Sequence, residues 1–229
     1  MSLKSSSSKV SSTVKVIVES HPSILDCMAL DVINYSALAR CLYDEVSRRI
    51  GRKTTLDAIK MSLIRLADDI KGRWRILEDK VRAVLAESVL ELQTDLIVLT
   101  VRKDVVSKIL TKLVESVSDA RFFQLTQGTK TYTLIVAREV YNRVVEVLGE
   151  DNIEDKIEDQ SAITLISPIE IVETPGVIAL ITFKLASHGI NITQVISCYK
   201  DTILVFSRED ALKAYQLLEE LVLNLRRKF

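Results

Sequence analysis

One order of periodicities occurs twice after residue 87, and this constrains the chain more than any other feature. Leu90, Leu92, Leu96, Val98 and Thr100 alternate with polar residues or lie in an apolar run, which suits a strand. Val105, Val106, Ile109, Leu110, Leu113 and Val117 then recur at helical spacing. Residues 120–126 and 131–137 read as two strands, with Gln127-Gly128-Thr129 as the hairpin turn between them. Val140, Tyr141, Val144, Val145 and Leu148 predict a helix closed by Gly149. After an acidic stretch, residues 150–159, the order begins again. A strand is expected over 162–172, a Glu-Thr-Pro-Gly turn at 173–176, and a helix over 177–187. Strands follow over 191–199 and 202–206, joined at Lys200-Asp201, and a helix over 211–225.

Both halves therefore read strand–helix–strand–strand–helix, the ferredoxin-like order in which an antiparallel sheet carries both helices on one face. The repeat is far too long for a solenoid and suits a duplicated small domain. Each unit alone leaves a sheet face uncovered and edges exposed, so pairing of units and dimerisation are expected.

The part before residue 87 has a different character. Residues 1–9 begin with a serine-rich stretch that reads as a disordered tail, and 10–20 form a short mixed segment before His21-Pro22. Leu38, Leu42, Val46 and Ile50 recur every four residues behind the candidate caps Asn34 and Ser36, and Gly51 stands where a helix commonly ends. Thr54 with Asp57 opens a second helix, which Gly72 is expected to end, and Trp74 to Leu85 suggest one more amphipathic helix or connector. The predicted architecture is α+β. A helical domain, 10–86, precedes a degenerate unit, 87–155, and a second unit, 160–229, with the acidic stretch as linker.

The second repeat carries a resemblance. Thr174-Pro175-Gly176-Val177-Ile178-Ala179-Leu180, followed by Leu185-Ala186-Ser187-His188-Gly189-Ile190-Asn191-Ile192, resembles the ACT domain, in particular the version found in aspartokinases. It covers about residues 162–222. The resemblance implies a ligand site at an interface between two ACT units. Thr174, Pro175, Gly176, Val177 and Ile178 of one unit would face Gly189, Ile190, Asn191 and Ile192 of the other. The physical logic agrees: Gly176 lets the backbone turn at a helix start, whose free N–H groups receive a carboxylate. Asn191 offers an amide that both donates and accepts. Such a site suits an amino acid. The first repeat departs from the pattern, with Lys103-Asp104-Val105 and Ser118-Asp119-Ala120-Arg121 at the corresponding places.

Residues 34–70 resemble a helix-turn-helix, and archaeal predicted regulators of amino-acid metabolism combine that motif with an ACT domain. In this reading Thr55, Lys60 and Arg65 face outward on the reading helix, with Arg48, Arg49, Arg52 and Lys53 near phosphates. Residues 1–80 carry 14 Lys/Arg against 10 Asp/Glu, a net of +4 that permits a nucleic-acid contact without requiring one. Asp57, Asp68 and Asp69 on the same helix oppose it. The bland alternative is a small helical bundle with a solvated basic turn.

Other chemistry is not signalled. There is no GxSxG, P-loop, HExxH or GxGxxG. Two histidines and three cysteines without a CxxC pair assemble no metal site at the usual spacings, so no metal or cofactor is expected, and no enzyme. His188 at a helix C-terminus reads as a cap, and Cys198 as a buried thiol. Charges interrupt every apolar run, which argues against a membrane span, and the expected setting is cytoplasmic. The sequence thus points to a regulatory protein, a homodimer that senses a small amino acid and passes the signal to its helical part. Two alternatives stand beside it: a ligand-free dimerisation scaffold for a protein partner, and a DNA-binding transcriptional regulator.

Overall fold

Two strands of 14 residues each, β1 (Val89–Arg102) and β4 (Ile153–Ile166), run antiparallel through the middle of a six-stranded sheet of order β2-β3-β1-β4-β6-β5. The computed structural model describes residues 2–227, with side chains from Lys9 onward except 73–76. It divides into two compact units, 1–80 and 81–229.

The first unit is helical: α1 (Ser2–Glu19), α2 (Pro22–Ala29), α3 (Tyr35–Ile50) and most of α4 (Leu56–Glu87). Val10, Val14, Ile17 and Val18 of α1 join Met28, Ala39, Leu42, Val46, Ile59, Leu63 and Ile70 in one core. The expected tail and mixed segment are therefore not where the chain is irregular. From Ser2 they belong to α1, whose apolar residues at spacings of four, three and one lie on one helical face. Asn34 caps α3, its Oδ1 accepting from Ala37 N at 3.0 Å, and Gly51 ends it at φ 72°. Gly72 does not end α4, which continues through it for 32 residues. One interior glycine costs about 1 kcal/mol relative to alanine, too little to break a helix with buried residues on both sides of it, up to Ile70 and again from Val81. Trp74 and Ile76 lie outside the described side chains.

In the second unit the doubled order is present. After β1 come α5 (Lys103–Ser116), β2 (Phe123–Gln127), β3 (Thr131–Ala137) and α6 (Tyr141–Leu148). After β4 come α7 (Val177–Ala186), β5 (Gln194–Cys198), β6 (Asp201–Ser207) and α8 (Arg208–Arg226). The acidic stretch 150–159 is not a linker. After a short turn at Glu150–Asn152 it forms the first half of β4, pairing with β1 from Val101↔Ile153 to Leu96↔Gln160. Its charges are tolerated because this half of β4 has a neighbour on one side only, and Glu154, Asp155, Lys156, Glu158 and Asp159 project to solvent. The following strand also stops earlier than expected, at Ile166, and Ile169–Val172 is a short helical turn.

The two halves are consequently interlocked. Residues Leu96–Arg102 of β1 pair with β3, while Val89–Gln93 pair only with β4. Residues Gln160–Ile166 of β4 pair with β6, while Ile153–Ile157 pair only with β1. Each long strand thus serves one half as an inner strand and the other as a bordering strand. Asp95 and Asp159 sit at the bulges where these roles change, at φ 62° and 51°.

α5 and α6 cover Ile97, Leu99, Val101, Leu134 and Val136. α8 lies over β1, β4 and β6. On the face away from the helices, Leu96, Val98, Ile135 and Ala137 join Ala162, Ile203 and Val205 in one buried cluster, around which the sheet curls.

Candidate functional site

The site residues expected in the second half lie at the two ends of α7. Beyond Ile166 the chain passes the buried Ser167 and the turn Ile169–Val172. Thr174 Oγ1 donates to Glu170 O at 2.7 Å, which closes the loop on itself. Pro175 and Gly176 are exposed, and Gly176 takes φ 101°, a backbone that only glycine adopts without strain. A Cβ on Gly176 would stand 3.4 Å from Val81 Cγ2, so the loop lies flush against the last turns of α4. Val177 is buried and Ile178 half-buried. No side chain caps the start of α7, and its first intrahelical bond from outside the helix is Leu180 N to Gly176 O at 2.9 Å. The first-turn N–H groups are thus available to an anion.

At the other end, Ile190 N donates to Leu185 O at 3.1 Å and Gly189 N to Ala186 O at 3.0 Å, with Gly189 at φ 72°. This left-handed glycine ends the helix and swings the chain towards β5. Ile190 is buried, Asn191 exposed and Ile192 half-buried. Thr193 N then opens the β5–β6 ladder by donating to Val205 O at 2.7 Å. His188 behaves as the expected cap, with Nδ1 at 2.9 Å from Lys184 O. Cys198 is exposed, so the expectation of a buried thiol fails: it ends an edge strand that has no neighbour beyond it.

The two segments are therefore not adjacent within one copy of this half. The helical rise alone separates Val177 from Ala186, three residues before Gly189, by roughly 13 Å.

The corresponding places in the first half are closed by ion pairs. Arg102 and Asp104 form a two-bond pair at 2.8 and 3.2 Å, which lowers the Asp104 carboxyl below its ordinary range. Arg121, which holds the place of Asn191, donates to Thr94 O at 2.7 Å and to Glu139 Oε2 at 3.2 Å. The sequence reading missed this bracing. Its signal is the repeat of Ala-Arg-Glu at 137–139 as Ser-Arg-Glu at 207–209, each directly after an inner strand.

Of the residues proposed near nucleic acid, Arg48, Arg49, Arg52, Lys53, Thr55 and Arg65 are exposed and Lys60 is half-buried. Arg49 is paired with Glu45 at 2.6 Å, and Thr55 is engaged in capping α4, its Oγ1 accepting from Ala58 N at 3.1 Å. Asp57, Asp68 and Asp69 are exposed on the same helix as Arg65. Among the described residues there is no group of acidic, His or Cys side chains able to hold a metal ion, and no helix long and apolar enough to cross a membrane.

No curated protein sequence matches the chain. Among solved structures it is similar to the aspartate kinase of Clostridium acetobutylicum, at 13% identity and TM-score 0.47 over 58% of this chain. This chain spans about a third, 34%, of that enzyme. It is also similar to the aspartate kinase regulatory subunits of Thermus thermophilus, at 18% and 0.46 over 58% of this chain and 95% of that one, and of Thermus flavus, at 16% and 0.47 over 60% and 98%. The family model of the ACT domain matches residues 156–220, from within β4 into α8. The chain therefore contains an ACT domain, over residues 156–220.

Proposed function

We propose that the protein is an amino-acid-responsive regulator, and that a small amino acid binds between two copies of its ACT unit. The ligand carboxylate meets the uncapped first turn of α7 beside Gly176 in one copy, and its amine and side chain face Asn191 and Ile192 of the other. In this reading the halves are two ferredoxin-like units that complete one another through β1 and β4, the second taking the ligand while the ion-paired first braces it.

The observation that carries the reading is the placement of the two segments at opposite ends of α7. A second copy is what brings the end of one helix to the end of another. Two features of the same half support such pairing. β5 is an edge strand with a free hydrogen-bonding side, and Phe183 on α7 and Val195 on β5 are 71% and 49% exposed. Association along this edge hides both.

Thermal unfolding of the full chain with each of the twenty amino acids in turn tests the proposal, with light scattering to read the oligomer. At a ligand concentration of about 100 Kd, linkage adds ~2.7 kcal/mol, which raises Tm by several degrees in a chain of this size. The expected result is such a rise with one or a few amino acids, lost in Gly176→Asp, whose carboxylate occupies the anion position. A flat response to all twenty overturns ligand sensing. A flat response from a stable dimer favours the ligand-free scaffold instead.

A further inference from the structure

We infer that the last two turns of α4, from Val81, are coupled to the loop before α7, so that a change in the loop is felt at the end of α4. An α-helix leaves its last four carbonyls without intrahelical partners, and a buried helix end needs groups from elsewhere to satisfy them. Here Ser88 N donates to Leu85 O at 3.1 Å, and Ser88 Oγ donates to Val84 O at 2.7 Å. The third carbonyl, Ala86 O, accepts from Arg226 Nε at 2.7 Å, and the same guanidinium donates through Nη2 to Ser88 O at 2.6 Å. The end of α4 is thus fastened by the last turn of α8.

The fastening extends into the loop. The hydroxyls of Ser88 and Ser167 are hydrogen-bonded at 2.9 Å, and both residues are buried, at 0% and 4% exposure. Ser167 is the first residue after β4, where the excursion to Gly176 begins, and its N–H donates to Lys200 O at 3.1 Å. At the far end of the excursion Gly176 rests against Val81, which is itself buried together with Val84 and Leu85. Both ends of the loop therefore meet the end of α4, one by the hydrogen bond between the buried hydroxyls of Ser88 and Ser167 and one by close approach of Gly176 to Val81. A buried hydroxyl pair is costly to leave unmatched, so the loop and the helix end move together. α4 is also the helix along which the chain arrives from residues 1–80, and β1 leaves it directly at Val89.

The trigger of this coupling rests on the proposed ligand reading of Thr174–Ile178; the coupling itself does not. Hydrogen–deuterium exchange on the full chain without any added ligand tests it, comparing the wild type with Arg226→Gln and Ser167→Ala. Both variants are expected to speed exchange about tenfold at residues 84–90 and also at 174–180, the factor that accompanies loss of about one such hydrogen bond. Exchange in β3 is expected to stay unchanged, which separates coupling from general loosening. Faster exchange at 84–90 with no change at 174–180 in both variants overturns the inference. So does a uniform increase that includes β3. The twenty amino acids are then added in turn to the wild type. Any that slows 174–180 is expected to slow 84–90 as well, and protection confined to 174–180 also overturns the coupling. If none has an effect at either place, the ligand reading fails while the variants still decide the coupling.

Discussion

Asp95 and Asp159 occupy matching bulges of β1 and β4, and one guanidinium joins them: Arg138 donates to Asp95 Oδ1 at 3.0 Å and to Asp159 Oδ1 at 3.4 Å. Arg208, which follows β6 as Arg138 follows β3, stands 3.7 Å from the same Asp95 oxygen. The charges gather where the two long strands exchange partners. These are exposed ion pairs, whose individual worth is small, and their role is to hold a geometry.

Because both aspartates have a left-handed backbone, the identity of a replacement decides its effect. Asp95→Asn is expected to cost less than Asp95→Val, since a β-branched side chain is strained at φ 62°. The difference should be roughly 1–3 kcal/mol. Urea unfolding of the two variants measures it. Equal stabilities would show that the bulge relaxes to an extended backbone once the carboxylate is gone.

The interlocking makes a fragment test decisive. A chain cut to residues 150–229 retains the whole ACT match, yet β4 loses its ladder with β1 along its entire length. The fragment is expected to be unfolded or to associate, because it presents a fresh 14-residue edge beside the buried faces of Ala162, Ile163 and Leu165. Circular dichroism with light scattering reads the outcome. A monomeric fragment with a cooperative melt would mean that the second half is self-sufficient, and that the shared strands are an accessory.

This is also where the sequence was least legible. The doubled order of elements could be read from periodicity, because Val105–Val117 and Ile178–Ala186 keep helical spacing and the β2–β3 turn carries Gly128. The caps Asn34, Gly51 and Gly189 were equally plain, since each does a local job visible in two or three neighbours. The first half of β4 was not. Its residues from Glu154 to Asp159 are, except Ile157, charged because they stand at a border and face solvent, and their strand conformation comes from a partner some sixty residues away in β1. No local pattern encodes that. The serine-rich start hid α1 for a related reason: among the described residues, four buried apolar side chains of α1, from Val10 to Val18, join the helical core. The proposed site was legible as motifs. The separation of those motifs by the length of α7 is a property of the helix between them.

Acid should loosen the surface pairs in a defined direction. The Glu158 carboxyl is held below its ordinary value chiefly by its hydrogen bond to Lys156, and Asp119 likewise by Arg143. Asp104 is lowered by Arg102. A carboxyl lowered in the folded state contributes stability that is fully present above its unfolded pKa and is lost as pH falls through the folded value. Stability should therefore be level above about pH 5 and decline below the ordinary carboxylate range, about pH 4. Glu158→Gln should flatten part of that decline, as read from urea midpoints across pH. An unchanged acid limb in this variant would remove Glu158 from the account.

Two glycines, Gly72 within α4 and Gly176 against its last turns, should respond to alanine with opposite signs. Gly72 lies inside the helix with nothing within 4 Å of an added Cβ, and it has ordinary helical backbone. Gly72→Ala is expected to stabilise by roughly 0.5–1 kcal/mol, since alanine loses less conformational freedom on entering a helix. Gly176 combines φ 101° with a Cβ position 3.4 Å from Val81 Cγ2. Gly176→Ala is expected to destabilise by about 1 kcal/mol or more, from strain in the left-handed backbone. The two changes are single methyl additions of the same size, so composition cannot account for a difference between their thermal shifts. If both raised Tm, the loop before α7 would be free to leave the left-handed conformation, and its close fit against α4 would not hold in solution.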